Sequence, residues 1–171
     1  RLLAELVGRS GDVDQAKKLL QQAIELAPAF PETRVRLATI LCFQNRVEES
    51  LDVLDDLLAI DPTSAPGLDA KAATLARIGN YHEAARTYEI LLEHSPDHVS
   101  GLIGYGQMLN TIGRFEDSVT AYRRVIALDP KRGEAWWSLA NLKVSRFSDA
   151  DIQSMAAALR VLPILRASSG T

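Results

Sequence analysis

The chain has 171 residues, of which 47% are apolar and 24% charged, and its net charge is −3. This composition excludes a largely disordered chain. The slightly acidic balance argues against a nucleic-acid binder, which neutralises phosphates with a basic surface. No apolar run approaches the roughly 20 residues that span a bilayer. Cys42 is the single cysteine, so no intramolecular disulfide can form, and a reducing, cytoplasmic location is expected.

A fixed spacing of 34 residues runs through the sequence. Four prolines keep it: Pro28, Pro62, Pro96 and Pro130. Turn-forming residues keep it as well: Gly11, Asn45, Gly79 and Gly113. Small residues form two more such sets: Ala4, Ala38, Ala72, Gly106 and Ala140, and Ala16, Ser50, Ala84 and Ser118. A constant period of this length is typical of a helical repeat array.

Each period predicts two helices joined by a turn. The Gly or Asn ends the first helix because it tolerates positive φ, and the proline ends the second helix because it cannot continue one. The small residues let the two helices approach closely. The predicted units run over about 1–30, 31–64, 65–98 and 99–132, and a half-unit follows at 133–147.

This pattern resembles the tetratricopeptide repeat (TPR). The large–Leu–small opening of its first helix is matched by Trp136, Leu139 and Ala140. Its turn, second helix and closing proline are matched by Gly79, Tyr81, Ala84, Tyr88 and Pro96. The resemblance covers residues 1 to about 147. It implies an all-α fold without strands, a right-handed α-solenoid of antiparallel helix pairs (a TPR superhelix).

Two lysines depart from the TPR pattern, and the second precedes a different segment. Lys71 stands where Leu is usual, and Lys143 indicates that the repeats end there. Ser148 and Asp151 then form a capping-box pattern. They predict a terminal helix over 148–162 that caps the array, and residues 163–171 are expected to be a disordered tail.

The resemblance to TPR proteins implies a concave wall, made of first helices, that binds a protein or peptide segment. The corresponding partner-binding positions are Val35, Thr39, Asp69, Ala73, Arg77, Ile103, Gln107, Asn110, Trp137 and Asn141. The repeat pattern does not require an apolar residue at the place that Val35, Ile103 and Trp137 share. Trp137 is the expected anchor, because interface hot spots favour Trp. The alternative is that Trp137 packs against the terminal helix.

The carboxylate clamp of the best-known TPR groove is not reproduced in this sequence. The clamp positions hold Arg1, Glu5, Arg36, Pro66 and Ala70. A receptor for chaperone tails is therefore not expected.

No motif for catalysis or for a cofactor occurs. His94 and His98 have a spacing that suits a metal on a helix, but Pro96 separates them, and they are expected to be surface turn residues, like His82. Cys42 has no partner at a catalytic spacing and is expected to be a small filler near the inner wall. We therefore predict no catalytic residue, metal or cofactor, and no enzyme activity.

Two functions remain open. The first is a protein-interaction scaffold that binds a partner peptide or helix. The second rests on residues 133–143 and 146–152, which look like the exit from the repeats in bacterial TPR-sulfotransferase proteins. That resemblance implies a non-catalytic recruiting arm, with the catalytic domain following Thr171.

Self-association is a further expectation. Leu2, Leu3, Leu6 and Val7 would be partly uncovered, which favours either upstream repeats or an edge for weak self-association. Residues 31–64 carry three basic and seven acidic side chains, whereas 99–132 carry five basic and three acidic ones. One interpretation is that these charged segments are solvated faces. The alternative is that they steer partners or stack molecules head to tail.

Overall fold

The computed structural model describes residues 13–26, 30–142 and 149–161. Within these ranges all regular secondary structure is helical and no strand occurs, which confirms the predicted all-α class. The helices are α1 (Val13–Leu26), α2 (Pro31–Phe43), α3 (Val47–Ile60), α4 (Ala65–Arg77), α5 (Tyr81–His94), α6 (Val99–Thr111), α7 (Phe115–Leu128), α8 (Gly133–Asn141) and α9 (Asp149–Val161).

The turns inside the helix pairs use the residues that the sequence predicts. φ is +62° at Asn45, +81° at Gly79 and +85° at Gly113. In this left-handed conformation, the next N–H can bond back to the end of the first helix. The Asn80 N–H donates to the Leu75 carbonyl at 3.0 Å in the turn after α4. Gly11, the fourth predicted turn residue, lies outside the described residues.

Small side chains allow the close contact between paired helices. Ser50 Oγ donates to the Ala38 carbonyl at 2.7 Å, and Ser118 Oγ donates to the Gly106 carbonyl at the same distance. Both hydroxyls are buried between the helices. A Cβ on Gly106 would lie 2.9 Å from the Tyr122 ring, which leaves no room for a larger residue. The repeated small residues are therefore a packing requirement.

The chain divides into two compact units between Pro96 and Asp97. The first unit holds α1 to α5, in which each helix packs on the next and α2 also contacts α4. Leu20, Leu37 and Leu41 form the centre of one of its apolar clusters.

The second unit holds α6 to α9. In it α6 packs on α7, and α7 packs on α8. One apolar cluster of this unit is centred on Tyr122, Leu139 and Leu142.

Two ion pairs involve residues outside the repeat pattern: one gives Lys71 a partner, and the other joins the terminal helix α9 to α7. Lys71 Nζ lies 2.6 Å from Asp55 Oδ1 of α3, so its charge has a partner at a place where Leu is usual. Within the second unit, Arg123 of α7 pairs with Asp151 of α9 at 3.3 Å. Helix α9 lies where a terminal helix is predicted, whereas Ser148 and the tail 163–171 lie outside the described residues.

Candidate functional site

In the first unit, the predicted binding positions lie on the neighbouring helices α2 and α4. Thr39 and Ala73 occupy equivalent repeat positions; both are small and exposed. The Thr39 hydroxyl donates to the Val35 carbonyl at 2.7 Å, so its proton is already engaged. Val35 and Asp69, one turn earlier on each helix, are half-buried.

The last residues of α2 and α4 form a stacked pair. Arg77 lies over the ring of Phe43, with its guanidinium carbon 5.2 Å from the ring centroid. Phe43 is 72% exposed, and Arg77 is exposed as well. Arg77 is one of the predicted binding residues, and the sequence places Phe43 on the same concave wall. The repeat indicates that Phe43 and Arg77 occupy equivalent positions, because residues 43 and 77 are one 34-residue period apart.

In the second unit, the predicted binding residues lie on α6 and α8. Gln107 and Asn110 of α6 are exposed, as is Asn141 of α8. Trp137 of α8 is 71% exposed, which excludes the alternative that the terminal helix buries it. The preceding Trp136 is only 8% exposed, and its Nε1–H donates to the Pro130 carbonyl at 2.9 Å. Two adjacent tryptophans thus have opposite environments.

The structure corrects one expectation about this face. Val35, Ile103 and Trp137 share a repeat position at which the repeat pattern requires no apolar residue, and the sequence predicts that all three contact a partner. Ile103 is 7% exposed and belongs to the buried core, and Val35 is half-buried. Of the three, Trp137 alone presents most of its surface to solvent, whereas burial of Ile103 contributes to the stability of the core.

Comparison with protein families covers most of the chain. Residues 9–74 match one family model described as tetratricopeptide repeat. Residues 70–132 and 111–142 match a second model of the same description. The chain belongs to the tetratricopeptide repeat family. Its fold class is accordingly the TPR α-solenoid.

Similar proteins support this fold. The uncharacterized protein y4yS of Sinorhizobium fredii is 31% identical over 85 residues, a match that spans 50% of this chain and 47% of that protein. A crystal structure of MamA has a TM-score of 0.74 at 16% identity and covers 92% of each chain. The structure of YrrB, described as a TPR protein with an unusual peptide-binding site, has a TM-score of 0.67 at 14% identity. That match covers 94% of this chain and 83% of YrrB.

In this TPR chain, His94 and His98 lie at helix ends and Cys42 lies in the interior. The ring of His98 caps α6, where its Nδ1 accepts the Gly101 N–H at 3.1 Å. His94 ends α5, and its Nδ1 lies 2.9 Å from the Ile90 carbonyl. Cys42 is buried in α2. Over the described ranges, no three His, Cys, Asp or Glu side chains are grouped to hold a metal ion.

Each unit of the TPR chain buries a tyrosine whose pKa is shifted. Burial, and secondarily the charge of Asp69, raise the pKa of Tyr88 to about 12. Burial likewise raises the pKa of Tyr122. Because both side chains are buried, these phenols belong to the core.

Several described arginines of the second unit pair with carboxylates of the same unit. Arg124 pairs with Asp97 at 3.0 Å, and Arg132 pairs with Asp129 at 3.2 Å. Together with the Arg123–Asp151 pair, they give three of the described arginines of this unit a carboxylate partner. Among the described helices, none is both long and apolar enough to cross a membrane.

Proposed function

We propose that this TPR protein is an interaction scaffold that binds a segment of another protein, extended or helical, on the exposed faces of its first helices. The exposure of Trp137 carries the proposal. A tryptophan held in water forgoes apolar burial that a partner can supply, and Trp is enriched among the residues that dominate binding energy. Asn141, one helical turn further on α8, adds a side-chain amide.

The proposed contacts divide by unit. In the first unit, Thr39, Ala73 and Arg77 are the exposed predicted residues, with Val35 and Asp69 half-buried beside them. In the second, Gln107, Asn110 and Asn141 supply amides that can donate to and accept from a peptide backbone. Such contacts bind a segment without reading its sequence closely. The peptide-binding site named for YrrB is consistent with this use of the fold.

The proposal includes no catalysis, cofactor or metal. The partner is a protein segment, with neither nucleic acid nor membrane involved, and weak self-association is a second kind of contact. The proposed setting is the cytoplasm. The predicted division into four repeat units, a half-unit and a terminal cap remains part of the proposal.

The alternative of a recruiting arm of a sulfotransferase stays a prediction from the sequence. It rests on residues 133–143 and 146–152, and residues 143–148 lie outside the described ranges. The family models reported above are of tetratricopeptide repeats and lend it no support. The coding sequence after Thr171 tests it: a sulfotransferase domain there would favour the alternative.

Truncating Trp137 tests the scaffold proposal. We expect Trp137→Ala to weaken binding by roughly 2 kcal/mol or more, because Trp anchors of interfaces carry energies of this size. The free energy of unfolding should change by less than about 0.5 kcal/mol, since the side chain is mostly in solvent. The measurement is a fluorescence titration of peptides selected against the full chain from a random displayed library, with a thermal melt of each variant.

The matched control is Trp136→Ala on the same helix. Because Trp136 is buried, its loss should lower the free energy of unfolding by roughly 3–5 kcal/mol. Peptides that bind wild type and Trp137→Ala equally well would refute the anchor role. A library that yields no binding peptide would contradict the scaffold function itself.

A further inference from the structure

We infer that the stacked pair of Phe43 and Arg77 recognises a carboxylate in the partner segment. The first unit would then bind an acidic residue that has an apolar neighbour. This inference rests on the proposed scaffold function and deepens it by naming the chemistry of the partner.

Arg77 differs from the other arginines whose partners are defined. Six described arginines pair with a carboxylate of the chain: Arg46, Arg86, Arg114, Arg123, Arg124 and Arg132. Arg77 forms no ion pair within the described residues, and its contact is with the Phe43 ring. Its charge is therefore exposed and available to an anionic group from outside.

The contact with the ring also restrains the guanidinium, whose carbon lies 5.2 Å from the ring centroid. A guanidinium near an aromatic face is held by cation–π attraction and keeps its N–H donors for hydrogen bonds. These donors match the two oxygens of a carboxylate, which can accept two parallel hydrogen bonds. A side chain fixed in advance loses less entropy on binding than a free one.

The surface next to the pair has room for an apolar side chain. Thr39 and Ala73 lie one helical turn before Phe43 and Arg77, and both are small and exposed. A partner side chain placed above them would also cover the edge of the Phe43 ring, which is largely in water. Burying that ring adds the apolar contribution to binding.

A paired peptide array tests the inference. Random peptides of about 12 residues are each synthesised twice, with Glu or with Gln at the central position, and probed with the labelled full chain. We expect wild type to favour the Glu series by about three- to tenfold, the size of one charge-assisted contact at an exposed site. Arg77→Gln should abolish the preference, and Phe43→Ala should reduce it. Arg77→Lys should keep only part of it, because an ammonium cannot stack as a plane.

Arg86→Gln is the control, since it changes the net charge equally but lies on α5 and pairs with Glu83 at 3.6 Å. It should leave the Glu preference intact. A preference that survives in Arg77→Gln, or that Arg86→Gln also abolishes, overturns the inference while peptide binding itself stands. The absence of binding in both series would overturn the scaffold function and this inference with it.

Discussion

One residue in each helix pair sets how closely the two helices approach. Ser50, Ala84 and Ser118 occupy this position in successive repeats, and all three are fully buried. The two serines also donate to a carbonyl of the facing helix. A larger side chain has no space here unless the backbone moves.

Enlarging Ala84 should therefore be costly. We expect Ala84→Leu to lower the free energy of unfolding by roughly 1–3 kcal/mol, because overpacking forces shifts in neighbouring helices. Urea denaturation followed by circular dichroism measures it. Ala59→Leu, at an exposed site of α3, is the control and should stay within about 0.5 kcal/mol of wild type. Equal effects of the two changes would mean that Ala84 is not in a tight contact.

The sequence predicts the environment of one of the two adjacent tryptophans but not of the other. Trp136 matches the large residue that opens the TPR pattern, so its role in the core follows from the sequence. Trp137 is left open by the same pattern, as an anchor or as a residue packed under the last helix. Its 71% exposure decides against packing, and no local signal distinguishes the two cases.

At the scale of the element, the turn residues determine where each first helix ends. Gly79 and Gly113 adopt positive φ, and Asn45 does so at the equivalent place. No atom lies within 4 Å of a Cβ built on Gly79, so crowding plays no part in the choice of glycine. The requirement comes from the backbone conformation alone.

A single substitution isolates this backbone effect. Gly79→Ala should destabilise the chain by about 1–2 kcal/mol, because an L-residue with a Cβ is strained at positive φ. Thermal melts compare it with Gly133→Ala, where an added Cβ also meets no atom but φ is not positive. We expect the control to be neutral within about 0.5 kcal/mol. Equal melting midpoints for Gly79→Ala and wild type would argue against a strained turn.

For the molecule as a whole, stability should depend on alkaline pH through the buried tyrosines. The pKa of Tyr88 is about 12 in the folded chain, against 10.0 for an unperturbed phenol. Below pH 10 the phenol is neutral in both states, and its contribution to stability is complete. Between these two values the unfolded state ionises first, so the free energy of unfolding falls as pH rises, by about 2–3 kcal/mol in total.

Tyr88→Phe should remove this part of the alkaline dependence. Urea denaturation at a series of pH values from about 9 to 12 should give a flatter curve for this variant than for wild type. Tyr81→Phe is the control on the same helix, because its ring is exposed and meets water in both states. If Tyr88→Phe and wild type lose stability in parallel, Tyr88 is not the group responsible.

The fold class could be predicted from the sequence by itself. Residues recurring every 34 positions specify the turns, the small contacts and the helix ends, and each of these depends on local backbone or size requirements. The same regularity indicates which residues face the core at positions such as Leu41, Leu75 and Leu109.

The tertiary structure alone decided which wall residues reach solvent and which pair with one another. Ile103 is buried while Trp137 is exposed at the same repeat position, because exposure depends on which side chains happen to cover each site. The Phe43–Arg77 stack likewise joins two helices 34 residues apart. A repeat pattern specifies the backbone positions shared by all units, whereas the chemistry of a binding surface comes from residues that differ between them.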